Sequence, residues 1–284
     1  MSVRVFAPAK INLTLEAGAP RADGYHPLQS SVVFASEGDW IEASPSDALT
    51  LEISGPFAHG LPVNEDNLVL RAARALDPKR GASLSLQKNL PVASGIGGGS
   101  SDAAAALIAL NQVWGLNKSR SDLAHLAASL GADVPVCVHR HSAWITGVGE
   151  VVTPISVPPL NAVLVNPGKP MPTPPVFRRF DELGLGTNFA ERGAPAWATP
   201  EAVVMDIAAW GNGLEAPAVA LMPELGDLLA ALRADKRALV AALSGSGATC
   251  FAVTNSAEEA CSLAADLSAR NREWWVRPTT IAKA

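Results

Sequence analysis

The chain offers little to a metal centre or a disulfide framework. It has three cysteines in 284 residues, Cys137, Cys250 and Cys261, odd in number and far apart. No zinc or disulfide spacing is present, so reduced, buried thiols are expected. Aromatic residues make up only 5%, and Tyr25 is the one tyrosine. Charged residues make up 17% and the net charge is −5, which argues against the basic face of a nucleic-acid binder. No apolar run is long enough to span a bilayer, and residues 1–8 carry no apolar signal core. A cytoplasmic protein with no membrane partner and no obligate protein partner is the expectation. With 48% hydrophobic residues the chain can still bury a sizeable core.

What the chain has in concentration is glycine, at one place. Residues 91–101 read Pro91-Val92-Ala93-Ser94-Gly95-Ile96-Gly97-Gly98-Gly99-Ser100-Ser101, and an Ala-rich run from Asp102 follows. Four glycines among five residues let the backbone turn and be approached closely. A helix that starts from such a loop aims free N–H groups and the positive end of its dipole at it. That makes an anion site, and phosphate is the usual anion. The plain alternative is a tight strand-to-helix turn with no ligand. Here too something is missing. No lysine follows Gly99, as a Walker A loop requires, and Ser100 stands where a dinucleotide fingerprint has its third glycine. A cation for a transferring phosphate must come from elsewhere in the chain.

Strands are expected over residues 3–7, 11–16, 31–35, 40–43, 49–53, 82–87, 143–147, 150–153, 161–165, 238–243, 249–254 and 273–276. Helices are expected over 68–76, 102–113, 123–130, 201–210, 223–234 and 257–267. Their mixed order lacks regular βαβ alternation, which indicates an α+β class. Pro154, Pro158 and Pro159 suggest a boundary between domains at 1–157 and 158–284. Residues 183–200, rich in glycine, proline and alanine, read as irregular.

Lys10 follows Pro8-Ala9 at the start of a strand pattern. It reads as a solvated surface lysine or as the cation that the glycine loop lacks. Asp133 lies in Gly131-Ala132-Asp133-Val134-Pro135, after a helix stop. It is either a turn or cap residue, or a base held among small apolar neighbours. Phosphoryl transfer needs a phosphate cradle, a cation, Mg²⁺ and a group that orients the attacking hydroxyl. The loop, Lys10 and Asp133 could supply three of these; the sequence does not give the Mg²⁺ ligands, and Ser101 is a candidate with no evident carboxylate partner. Gly24-Tyr25-His26 puts an aromatic and a histidine in an early loop. The pair is structural, or it stacks on and hydrogen-bonds a ring. Ser244-Gly245-Ser246-Gly247 is a plain β-turn, or backbone packed against a ligand or the first loop.

Five segments, in this order, resemble the GHMP kinases. They are Ala7-Pro8-Ala9-Lys10-Ile11-Asn12-Leu13, Arg21-Ala22-Asp23-Gly24-Tyr25-His26, Gly97-Gly98-Gly99-Ser100-Ser101-Asp102-Ala103-Ala104, Gly131-Ala132-Asp133-Val134-Pro135 and Ser244-Gly245-Ser246-Gly247-Ala248-Thr249. The resemblance implies a two-domain GHMP-kinase fold, with a ribosomal-protein-like N-terminal domain and a ferredoxin-like C-terminal domain. It implies ATP as co-substrate, its phosphates on residues 91–101, and Lys10 and Asp133 as the catalytic residues. The triple glycine and the Asp-Gly-Tyr-His loop are similar to the branch that acts on a small cytidyl-diphosphate substrate. That similarity implies a cytosine held by Tyr25 and His26 with an aromatic that Phe177 matches. It also implies Asn12 close to the phosphates or the attacked hydroxyl. Where the family often has an aspartate, this chain has Gly213, in Asn212-Gly213-Leu214-Glu215.

Overall fold

The computed structural model describes residues 1–282. From the N-terminus its elements are β1 (Val3–Ala17), β2 (Leu28–Pro45), β3 (Leu49–Ser54), α1 (Leu68–Leu76), β4 (Ala82–Gln87), α2 (Gly98–Val113), α3 (Arg120–Ala127) and α4 (Val134–His139). There follow β5 (Ala143–Thr146), β6 (Val151–Pro154), β7 (Leu160–Asn166), α5 (Thr173–Glu182), α6 (Pro200–Trp210), α7 (Glu215–Leu221), α8 (Glu224–Ala234), β8 (Ala238–Leu243), β9 (Cys250–Thr254), α9 (Ala257–Arg270) and β10 (Trp275–Ile281). The mixture is the α+β class expected from the sequence. Among the described residues no helix is long and apolar enough to cross a membrane. Cys137 and Cys250 are buried free thiols, whereas Cys261, expected to be buried, is exposed.

The chain divides into two compact units that interleave in sequence, where the prolines suggest one cut after residue 157. The first holds residues 1–10, 37–92 and 97–140; the second holds 11–36, 93–96 and the chain from 141 onward. The long strands β1 and β2 each give residues to both, so no single cut separates the units.

In the first unit β4 alternates buried Ala82, Leu84 and Leu86 with outward Ser83, Ser85 and Gln87, the period of two of a strand with one covered face. It pairs parallel with β3, Leu51 opposite Leu84, and antiparallel with the C-terminal half of β2, Ile41 opposite Leu86. Helix α2 is buried from Ser101 to Leu110. A helix enclosed on all sides needs small side chains of high helix propensity, and residues 103–106 are all alanine. Helix α3 starts one turn earlier than expected because Ser119 and Asp122 form a capping box. Ser119 Oγ accepts from Asp122 N at 3.1 Å and Asp122 Oδ2 accepts from Ser119 N at 3.0 Å. Helix α4 is not apparent from the sequence, since Pro135 reads as a breaker. In the first turn, where Pro135 lies, its missing N–H leaves no broken bond.

The second unit is built on antiparallel strands in the order β10-β7-β9-β8. The chain runs β7, four helices, β8, β9, α9, β10, which is the ferredoxin-like split βαβ arrangement. Leu225, Leu228, Leu229 and Leu232 of α8, with Leu263 and Leu267 of α9, join Val163, Val165, Leu243 and Ala252 of the sheet in one core. Strand β10 begins two residues later than expected and continues through Pro278. Thr280 N and Ala282 N donate away from β7, to Ser36 Oγ and Phe34 O. By the period of two, the donor that Pro278 lacks faces that same side and costs no bond to β7.

Candidate active site

Within the first unit, Lys10 Nζ lies 2.8 Å from Asp133 Oδ2. The lysine side chain is 6% exposed and the aspartate side chain 45%, so the cation is sheltered and the carboxylate open to a ligand. Asp133 stands at the N-cap of α4 with φ −83° and ψ −14°, and its side chain makes no capping bond. Capping side chains work from extended backbone; this one instead turns to Lys10. Gly97, at φ +62°, is the N-cap of α2. A Cβ there would stand 3.0 Å from Lys10 Cβ and 3.2 Å from its Cε. The glycine therefore lets the stem of Lys10 lie against the mouth of α2. No side chain caps that helix, so its first N–H groups suit an anion.

Of the loop residues, Pro91, Ser94, Ile96, Gly98 and Ser101 are buried, Gly95, Gly97 and Ser100 half-buried, and Val92, Ala93 and Gly99 exposed. The Ser101 side chain is almost inaccessible and donates to the Pro8 carbonyl at 2.7 Å, which ties β1 to α2 just before Lys10. Among the described residues no group of three or more His, Cys, Asp or Glu could hold a metal.

Sequence reasoning missed a buried charge cluster at the same helix start. Lys88 Nζ is 2.5 Å from Asp39 Oδ2 and 2.7 Å from Asp102 Oδ2, and all three residues are buried. A Cβ on Gly98 would come within 3.0 Å of Lys88 Nζ. Asp39 Oδ1 accepts from Asn89 N at 2.5 Å and from Leu90 N at 2.8 Å, which fixes the chain as it enters the glycine loop. Burial pushes the Asp102 carboxyl up to about 7; Lys88 pulls it down and the neighbouring Asp39 charge pushes it up. Burial opposes the charge on Lys88, but its two carboxylates outweigh that and hold the ammonium above its ordinary value.

Between the ordinary carboxylate value of 3.8 and about 7, the folded chain keeps a proton on Asp102 that the unfolded chain has lost. Stability from this group therefore falls as pH rises through that window. Urea midpoints measured across it should decline with pH, and Asp102→Asn, uncharged throughout, should flatten the decline. An unchanged slope in the variant would contradict the assignment.

Within the second unit, the His26 ring lies 4.7 Å from Phe177 at 37° and 5.7 Å from Phe180 at 85°. Its Nε2 is 2.8 Å from Asp181 Oδ1. Phe177, Phe180 and Asp181 are spaced i, i+3, i+4 on α5 and so share one face. The sequence singles out His26 and Phe177 of this cluster, and the structure brings the two together. It does not mark Phe180 or Asp181. Tyr25 is 64% exposed, on a turn held by Arg21 N donating to Tyr25 O at 2.8 Å.

The second glycine cluster is more than a turn. Ser244 Oγ donates to Gly95 O at 3.1 Å, and a Cβ on Gly95 would stand 2.3 Å from Ser244 O. Only glycine allows that approach of two backbones. The same Ser244 Oγ accepts from Asn12 N at 3.1 Å. Asn12 Nδ2 donates to Ser30 Oγ at 2.7 Å, while its Oδ1 is buried without a hydrogen-bond partner among the described residues. Gly213 is tolerant by contrast. A Cβ there would meet Leu15 O at 3.5 Å, ordinary contact, so a side chain at this position would fit. A cavity of about 920 Å³ in this unit is lined by Phe180, Leu185, Trp210 and Arg233 among others, and by none of the expected site residues.

Residues 67–141 match the family model described as GHMP kinases N terminal domain, and residues 202–273 match GHMP kinases C terminal. A 4-diphosphocytidyl-2-C-methyl-D-erythritol kinase from Cereibacter sphaeroides is 49% identical over 283 residues, covering 97% of this chain and 98% of its own. One from Parvibaculum lavamentivorans is 48% identical over 279 residues, covering 95% of each. A crystal structure of 4-(cytidine 5'-diphospho)-2C-methyl-D-erythritol kinase superposes with a TM-score of 0.78 at 32% identity, over 99% of this chain and all of that one.

Proposed function

The chain belongs to the GHMP kinases, and from that premise we propose that it transfers the γ-phosphoryl group of ATP to the C2 hydroxyl of 4-diphosphocytidyl-2-C-methyl-D-erythritol, in isoprenoid precursor synthesis. The observation that carries this reading is the Lys10–Asp133 pair at 2.8 Å, with the lysine stem lying against Gly97. It joins the phosphate loop to the cation that the loop lacks and to an open carboxylate.

In this reading the N–H groups of residues 91–101 cradle the phosphates of ATP. Asp133 orients the hydroxyl and takes its proton as the oxygen attacks the γ-phosphorus. The bond to the bridging oxygen breaks, and ADP leaves. Lys10 stabilises the ionised carboxylate and the charge developing on the transferring group. Asn12 belongs with the hydroxyl rather than the phosphates: its orphaned Oδ1 can accept from an O–H and would repel a phosphate oxygen. His26, Phe177 and the exposed ring of Tyr25 hold the cytosine. Mg²⁺ is expected with the ATP phosphates rather than in a cage of side chains, since the ion keeps much of its water.

His26→Ala is expected to raise KM for the cytidyl substrate at least tenfold (~1.4 kcal/mol) while KM for ATP stays nearly unchanged. Steady-state kinetics with each substrate varied in turn checks this. Equal increases in the two constants would remove His26 from the base pocket.

A further inference from the structure

A histidine that only stacked on a base would need no hydrogen-bond partner of its own, yet His26 has one. Its Nε2 lies 2.8 Å from Asp181 Oδ1. A carboxylate can only accept, so the Nε2 of the ring carries the hydrogen and donates it. In neutral imidazole the other nitrogen, Nδ1, is then an acceptor. The ring is also held against rotation. Phe177 lies along one side and Phe180 meets it edge-on, both from the α5 face that carries Asp181. The His26 side chain is 9% exposed and that of Asp181 40%. The arrangement thus fixes a hydrogen-bonding polarity and not merely a packing surface.

We propose that Asp181 is a positioning residue that sets base specificity: by holding His26 Nε2–H it leaves Nδ1 as an acceptor, matched to the exocyclic amino group of cytosine and mismatched to the carbonyl oxygen of uracil. The proposal rests on the reading that this slot takes the base of a cytidyl substrate. A slot built to accept a hydrogen bond rejects a base that offers a second acceptor, because two lone pairs then face each other with water excluded. Asp181 does not touch the reacting atoms in this scheme; it acts through the imidazole.

Asp181→Leu tests the scheme with little change of volume. Leucine gives Nε2–H no acceptor, so nothing holds the hydrogen on Nε2 and the Nδ1–H form, a donor, becomes populated. The readout is the ratio of kcat/KM for the cytidyl substrate to that for its uridyl analogue. The ratio is expected to fall about tenfold or more, through KM, with kcat for the cytidyl substrate nearly unchanged. Nitrogen-15 shifts of the His26 ring in the free protein give a second readout that needs no turnover. They should show the Nε2–H form in the parent chain, and finding Nδ1–H there would overturn the proposal. A parent chain selective for the cytidyl substrate whose selectivity survives Asp181→Leu would also overturn it, while leaving the function standing. A parent chain that phosphorylates neither substrate would instead overturn the functional reading on which the proposal rests.

Discussion

Asp133→Asn is expected to lower kcat by about 10² or more while KM for both substrates stays nearly constant. The substitution keeps the size of the side chain and removes its charge and its capacity to take a proton. Little else should change, because the Asp133 carboxylate does no structural work at the start of α4: it makes no capping bond there. Its partner Lys10 is sheltered, but the carboxylate itself is 45% exposed. The asparagine Oδ1 can still accept from the Lys10 ammonium, so the sheltered cation keeps a partner. Loss of activity without loss of fold is therefore the expected signature, read from kcat together with an unshifted urea midpoint. Near-normal turnover would remove Asp133 from the chemistry. So would a fall in kcat matched by an equal fall in stability.

Lys88→Met should show the opposite signature. Lys88 sits between Asp39 and Asp102 with side-chain exposures of 4%, 0% and 4%. Removing the ammonium leaves two carboxylates enclosed together with no cation. Breaking a buried pair from one side typically costs about 3–5 kcal/mol, because the abandoned charge stays buried. The midpoint of urea unfolding should fall accordingly. Above about pH 7, where Asp102 is ionised in the parent chain, adding Asp102→Asn to Lys88→Met should recover part of the loss, since one of the two stranded carboxylates is then gone. A Lys88→Met protein as stable as the parent would contradict the cluster. The two lysines thus make the same kind of bond at similar distances, and burial separates their roles. In the proposed function the open pair takes part in the reaction, and the closed one fixes the chain where it enters the glycine loop through Asn89 and Leu90.

The division between what was legible in the sequence and what was not follows from distance along the chain. The glycine loop and its helix are local, and local chemistry marked them. Lys10 could be suspected only because the loop lacked a lysine of its own, and Asp133 only because it stood in a small apolar turn. Lys88 carries no such mark. Within Gln87-Lys88-Asn89 it looks like a solvated side chain, and its burial depends on Asp39 and Asp102, which no period connects to it. Asp181 was hidden twice. It lies on α5, whose first turn contains Pro174 and Pro175 and so does not announce a helix. Its partner His26 is 155 residues away. The bond from the Ser101 hydroxyl to the Pro8 carbonyl is likewise invisible in the sequence, since 93 residues separate the two.

The most direct test of the central claim is ADP release by the purified chain with ATP and Mg²⁺, measured with and without 4-diphosphocytidyl-2-C-methyl-D-erythritol and against homoserine, mevalonate and galactose as rival acceptors. The expected result is release that depends on the cytidyl acceptor and is at least about 10²-fold faster than with any rival, as a site that hydrogen-bonds its substrate allows. Release that is absent with the cytidyl acceptor, or faster with one of the others, would contradict it.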